Sequence, residues 1–236
     1  MSSETLVVSE IFGPTFQGEG PSTGRRCLFL RLAGCTLACT WCDTPYTWDW
    51  RGVNGVQFDP AREMKLLSVE EIVADLDRRG EKFLVVSGGE PMLQQKRLLP
   101  LLSRLADDGW RIEIETAGVR LPGAGLADVV TQFNVSPKLA SSGNQLSRRV
   151  NPAALLALQA TEKAIWKFVA ESSADLHEVA RLTADYNLSP IYIMPQGKTS
   201  DAVISVAQAL SPEILWRGWN LTLRTHVILY GDKRGI

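Results

Sequence analysis

The sequence predicts an α/β protein in which helices cover a largely parallel sheet. Three observations carry that prediction. Short apolar runs alternate with helix-period patterns along most of the 236 residues, so strand leads to helix about six times over. Helix-start signals stand where this alternation needs them, at Ser68 with Glu71 and at Asn151 before Pro152. Residues 83–87 (FLVVS) form a buried-type strand that runs straight into a glycine pair. About six units fall short of the eight that close a barrel.

Taken in order, residues 6–12 (LVVSEIF) and 27–32 (CLFLRL) read as strands. Residues 43–66 are an irregular connection with Trp48, Trp50, Gly52 and Gly55, and a loop that long in a compact domain is usually functional. The capping box opens a helix over 69–79, and Gly80 stops it. Beyond strand 83–87 and Gly88-Gly89-Glu90-Pro91, a helix is predicted over 92–107, with a kink at Pro100. Residues 111–115 (RIEIE) alternate as a half-buried strand, and the loop 121–126 (LPGAGL) enters a strand over 129–135. Asn151 and Pro152 start a helix over 153–160. Then come a strand at 164–169, a helix at 174–186 capped by Ser173, a strand at 191–194 and a helix at 201–210 capped by Ser200. Residues 221–223 and 225–230 read as extended segments. No internal repeat interrupts this order, so 1–236 reads as one domain.

Composition narrows the function. With 45% hydrophobic and 22% charged residues the chain is an ordinary globular one, which excludes long disorder. A net charge of −1 offers no global basic field for a nucleic-acid backbone, so no direct nucleic-acid partner is expected. No apolar run approaches the roughly 20 residues that span a bilayer, and residues 1–12 lack the pattern of a signal peptide. The expected location is the cytoplasm, where thiols stay reduced.

All four cysteines fall between positions 27 and 42. Cys35, Cys39 and Cys42 make a C-x3-C-x2-C loop after a strand, a spacing that can hold three corners of a [4Fe–4S] cube and leave the fourth iron open. Cys27 lies inside an apolar strand and reads as a small buried hydrophobe. Zinc is the competing reading, but structural zinc prefers two ligand pairs; here there is no second pair, and His177 and His226 are remote.

The cysteine loop, with Ser87-Gly88-Gly89-Glu90-Pro91 downstream, resembles the radical S-adenosylmethionine (SAM) superfamily. Further segments resemble its 7-carboxy-7-deazaguanine synthase family: Glu10-Ile11-Phe12 with Gln17-Gly18-Glu19-Gly20, Phe29-Leu30-Arg31-Leu32-Ala33-Gly34-Cys35, Cys42-Asp43-Thr44, Ser136-Pro137-Lys138, and Thr225-His226-Val227-Ile228-Leu229-Tyr230-Gly231. The resemblance implies a partial (β/α)6 TIM-like barrel with a modified, shortened set of helices. It implies a lyase that turns 6-carboxy-5,6,7,8-tetrahydropterin into 7-carboxy-7-deazaguanine with loss of ammonia, for queuosine and related 7-deazapurines. A [4Fe–4S] cluster, SAM and Mg2+ are the implied cofactors. Reductive cleavage of SAM to the 5′-deoxyadenosyl radical does the chemistry, so no protein acid or base is expected. An electron donor such as flavodoxin or ferredoxin and a homodimer are the implied partners.

Site residues follow from the same resemblance. Phe16, Gln17, Gly18, Glu19, Arg31, Ser87, His226 and Ile236, the last through its terminus, are expected at the substrate. Gln17 suits a pterin amide edge, Glu19 suits ring N–H groups, and Arg31 suits the substrate carboxylate bidentately. Each has a plainer reading: Gln17 and Glu19 as solvated loop residues, and His226 as a satisfied core histidine. Arg31 within an apolar strand needs some anionic partner, of which the substrate is one candidate. Trp41, Cys42, Asp43, Gly89, Ser136, Pro137, Lys138, Met194, Pro195, Gln196 and Gly197 are expected around SAM, with Trp41 either stacking on adenine or simply packing. Thr44 is expected at Mg2+, against the plainer reading of a local backbone hydrogen bond. Two alternatives stand beside this reading. One is a glycyl-radical-enzyme activase or other radical SAM enzyme, and the other an iron–sulfur electron-transfer module. Neither accounts for the QGEG segment.

Overall fold

The computed structural model describes residues 5–231 and 233–236. Among these residues nine strands form one sheet in the order β3-β1-β2-β4-β5-β6-β7-β8-β9. They are β1 (Thr5–Phe16), β2 (Arg26–Leu32), β3 (Lys65–Ser68), β4 (Phe83–Gly88), β5 (Arg111–Thr116), β6 (Gln132–Val135), β7 (Ala164–Ala170), β8 (Ile191–Pro195) and β9 (Asn220–Leu221). From β2 to β9 every neighbour is parallel, joined by helical crossovers as the alternation requires. The sheet stays open, with β3 and β9 at its edges.

The helices are α1 (Pro60–Glu63), α2 (Val69–Arg78), α3 (Gln95–Asp107), α4 (Leu126–Val129), α5 (Leu146–Arg149), α6 (Pro152–Gln159), α7 (Ser173–Tyr186), α8 (Ser200–Trp216) and α9 (Thr225–Tyr230). In α3, Leu98, Leu101, Leu102 and Leu105 repeat at helical spacing and are fully buried against the sheet. Each stabilises the fold by about 2 kcal/mol relative to exposure. With that packing α3 continues past Pro100. Among the described residues no helix is long and apolar enough to cross a membrane.

Several expectations change. The strand at 6–12 extends to Phe16 and pairs antiparallel with β2 and β3. The 43–66 connection contains a 3-10 turn (Pro45–Thr47), α1 and the start of β3. The buried Asp49 carboxylate pins its middle by accepting from the backbone N–H groups of Val53 and Asn54. The helix at 92–107 begins as a 3-10 turn (Pro91–Gln94) capped by the Glu90 side chain, and the Gln94 amide bonds the backbone of Val7 and Ala33. Residues 126–129 are α4, so β6 starts at Gln132. Two caps lie one residue earlier than expected: Ser172, in a capping box with Asp175, caps α7, and Thr199 caps α8. The α8 helix runs through Pro212 to Trp216. Residues 225–230 are helix α9 rather than extended, since burial of Val227 overrides the β-propensity of this run.

Candidate active site

Parallel strands direct alternate side chains to the same face, and their carboxyl ends gather at one end of the sheet. A cavity opens there. Register places Arg31 beside Ser87, and one residue beyond the Val86–Ile114 pair stands Glu115, itself opposite Asn134. All four line the cavity. Of the residues expected at substrate, Phe16, Gln17, Gly18, Glu19, Arg31, Ser87, His226 and Ile236 are all in its lining. So are Trp41, Cys42, Asp43, Thr44, Gly89, Ser136, Lys138, Met194 and Gln196.

Three expected SAM neighbours are not. Pro137 is buried below the lining, and Pro195 closes β8 inside the sheet. Gly197 packs under α8, where a Cβ would lie 2.7 Å from the Val203 nitrogen, and its carbonyl accepts from Arg224 Nη1 at 2.7 Å. The glycine there serves a close helix approach.

Cys35, Cys39 and Cys42 share the lining with Thr44. Each thiol receives an N–H donor: Leu37 N to Cys35 Sγ at 3.4 Å, Asn144 Nδ2 to Cys39 Sγ at 3.3 Å, and Trp48 Nε1 to Cys42 Sγ at 3.4 Å. Burial pushes the Cys35 thiol up to about 12 and raises the Cys42 thiol as well. Three cavity-facing sulfurs with N–H donors are the donor set an iron–sulfur cube requires. Cys27 is fully buried among Phe12, Phe29, Phe83 and Val85, as strand packing predicts. Among the described residues no three His, Cys, Asp or Glu side chains are gathered to hold a single ion. Thr44 makes local contacts, its carbonyl accepting from the N–H and hydroxyl of Thr47.

The loop is seated by backbone contact. Gly89 N donates to Leu32 O at 3.0 Å and Glu90 N to Gly34 O at 2.8 Å. A Cβ on Gly89 would stand 2.2 Å from the Gly34 oxygen, and one on Gly88 2.1 Å from the Leu32 oxygen, so only glycine permits this approach. Beneath them the buried Glu90 carboxylate accepts from Thr116 Oγ1 and from the N–H groups of Met92 and Ala117.

Charged side chains line the cavity beside the thiols. Glu19 and Lys167 form a close ion pair, and Lys167 Nζ also reaches Glu115 Oε1 at 3.5 Å. Arg224 pairs closely with Asp43 and stands 3.6 Å from Glu19. Burial by itself would raise the Glu19 carboxyl, but Lys167, His226 and Arg224 outweigh it and hold it well below the usual range. Glu115 accepts from Ser87 Oγ at 2.9 Å and Gln17 Nε2 at 3.4 Å. Gln17 is only 1% exposed, which excludes the solvated-loop reading. His226 lies 3.9 Å from Glu19, against Gly18, where any Cβ would clash with its ring. Trp41 lies under Lys138 Nζ, 5.7 Å from its ring centre.

A family model described as the radical SAM superfamily matches residues 30–152. The 7-carboxy-7-deazaguanine synthase of Pyrobaculum aerophilum is 32% identical over 97% of this chain and 96% of its own. The chain belongs to the 7-carboxy-7-deazaguanine synthase family of radical SAM proteins. The Rhodopirellula baltica synthase is 29% identical over 99% of the chain and 90% of its own. The crystal structure of QueE from Escherichia coli aligns with a TM-score of 0.72 at 28% identity, covering 94% of this chain and 95% of that one. Membership in the synthase family sets aside the activase and electron-transfer alternatives. It brings SAM and a [4Fe–4S] cluster as cofactors, which the three cavity thiols fit.

Sequence reasoning missed Glu10, Glu115, Lys167 and Arg224. For Arg31 it sought an anion and proposed substrate; the structure supplies Glu10, whose Oε1 accepts from Arg31 Nε at 2.8 Å. Lys167 carried the same signal, a cation inside the apolar run AIWKFVA. Glu115 was half visible in the alternation of RIEIE.

Proposed function

We propose that the chain converts 6-carboxy-5,6,7,8-tetrahydropterin to 7-carboxy-7-deazaguanine with loss of ammonia. The observation that carries the reading is one cavity lining that joins the three thiols to Arg31, Glu19 and Gln17, in a chain similar to synthases over nearly its full length. When bound, the cluster and SAM supply radical chemistry for abstraction of hydrogen from C6. The chain's own residues bind and orient. Arg31 holds the substrate carboxylate, Gln17 and Glu19 read the pterin edge, and Ser87 and His226 flank them. Glu19, ionised by its cations, accepts from ring N–H groups. Trp41, Asp43, Gly89, Ser136, Lys138, Met194 and Gln196, all in the cavity lining, would surround SAM. Thr44 would be the residue to hold Mg2+, an ion that keeps few protein ligands. A single domain over 1–236, a cytoplasmic location, a homodimer and a flavodoxin- or ferredoxin-type donor belong to the same reading.

The test is anaerobic reconstitution of the cluster, followed by SAM, dithionite, Mg2+ and 6-carboxytetrahydropterin. Product at substoichiometric SAM supports the reading. A competent cluster that cleaves SAM yet yields no 7-carboxy-7-deazaguanine overturns it.

A further inference from the structure

Glu10 on β1 is the meeting point of three distant parts of the chain. Its Oε1 accepts from Arg31 Nε and from the Tyr46 hydroxyl, each at 2.8 Å. Its Oε2 accepts from Arg234 Nε at 3.1 Å. Arg234 reaches on through Nη1 to Glu63 Oε2 at 2.6 Å, and its guanidinium carbon lies 3.8 Å from the centre of the Tyr46 ring. Two residues later, Ile236 lines the cavity. One guanidinium thus ties the 233–236 segment to β1, to α1 and to the turn that follows the cysteine loop.

We propose that Arg234 is a positioning residue for substrate. It acts through Glu10 on Arg31 and through the chain on the cavity wall at Ile236. The inference rests on reading Arg31 as the ligand of the substrate carboxylate. Arg31 is bonded to Glu10, and Glu63 stands near, so without Arg234 the group carries more negative than positive charge. Arg31 would then present an anionic ligand with a field its own partner cancels. Arg234 restores neutrality, occupies the second oxygen of Glu10, and leaves the first to orient Arg31. Tyr46 stiffens the arrangement: it donates to Glu10 and offers its ring face to Arg234. Arg234 is 41% exposed, so solvent screening keeps the effect moderate.

The experiment compares wild type with Arg234→Ala and Arg234→Lys. Cluster-free protein is titrated with oxidised 6-carboxypterin, followed by tryptophan fluorescence, and the loaded enzymes are assayed in parallel. For Arg234→Ala, Kd for the pterin and KM for substrate should both rise roughly tenfold. Its kcat should stay within about twofold, because the lost interaction acts on binding. Arg234→Lys, which keeps the charge beside Glu10, should recover much of the affinity. Unchanged Kd and KM in Arg234→Ala overturn the proposal. So does a fall in affinity that merely follows a loss of iron content or thermal stability, which would make Arg234 a fold residue. If wild type neither binds the pterin nor turns it over, the substrate reading fails and the proposal with it. If wild type does both and Arg234→Ala is indifferent, the proposal alone fails.

Discussion

Two glutamates, Glu113 and Glu115, stand two residues apart on β5 and point the same way, yet they belong to different machines. Glu113, toward the amino end of the strands, has no exposed surface. Its Oε1 accepts from Arg111 at 2.7 Å and Ser22 Oγ at 2.6 Å, and its Oε2 accepts from Asn134 Nδ2 at 2.9 Å. Glu115, toward the carboxyl end, keeps 21% of its side chain exposed and lines the cavity with its partners Ser87, Gln17 and Lys167. The lesson is that burial of charge does not by itself mark a functional site. A network that satisfies itself ties neighbouring segments together, whereas one that faces a cavity orients groups toward a ligand.

On substitution, the cavity end should lose function before fold. Cys39→Ala should abolish product formation altogether, with iron and sulfide content collapsing in parallel; an active Cys39→Ala enzyme would mean the cluster is held elsewhere. Glu115→Gln should lower kcat/KM roughly a hundredfold, by misplacing Ser87 and Gln17, while its melting temperature stays near wild type. Glu113→Ala should do the reverse. Stranding Arg111 and Asn134 should cost about 3 kcal/mol in denaturant unfolding, with turnover per folded molecule preserved. If Glu113→Ala impairs catalysis and Glu115→Gln impairs stability, the distinction is wrong.

A finer test uses pH. Glu19 is held below the ordinary carboxylate range, so its contribution to stability is complete above the unfolded value of about 4.5 and is lost as pH falls toward the depressed folded value. Lys167→Met removes a main cause of that depression and should flatten the slope of stability against pH between about pH 5 and pH 3. Denaturation midpoints across that window measure it; an unchanged slope would separate Lys167 from Glu19. The smallest effect belongs to Cys27→Ala, which should cost about 1 kcal/mol of stability and leave iron content unaltered.

Much of this was legible along the chain. The strand–helix alternation predicted the parallel crossovers, and C-x3-C-x2-C singled out the thiols that face the cavity from the Cys27 thiol that does not. Gly18 and Gly89 are glycines because His226 and Gly34 press against them, although motif resemblance marked both without that reason. What escaped was partner choice. Arg31 demanded an anion, and nothing local named Glu10; the two meet only through the β1–β2 register. Lys167 lies 148 residues from Glu19 and 52 from Glu115. The α9 helix likewise escaped, because burial of Val227 decided it over local preference.

The sequence by itself determined the kinds of element, their order, the cysteine loop and the family, since periodicity, capping and motif spacing are properties of neighbouring residues. Only the tertiary structure decided which charges meet, which of two near-identical glutamates faces the cavity, and how Arg234 ties the 233–236 segment to Arg31. Those outcomes depend on strand register and on contacts between segments far apart in the chain, and a charge buried in a sheet is defined by what lies across from it.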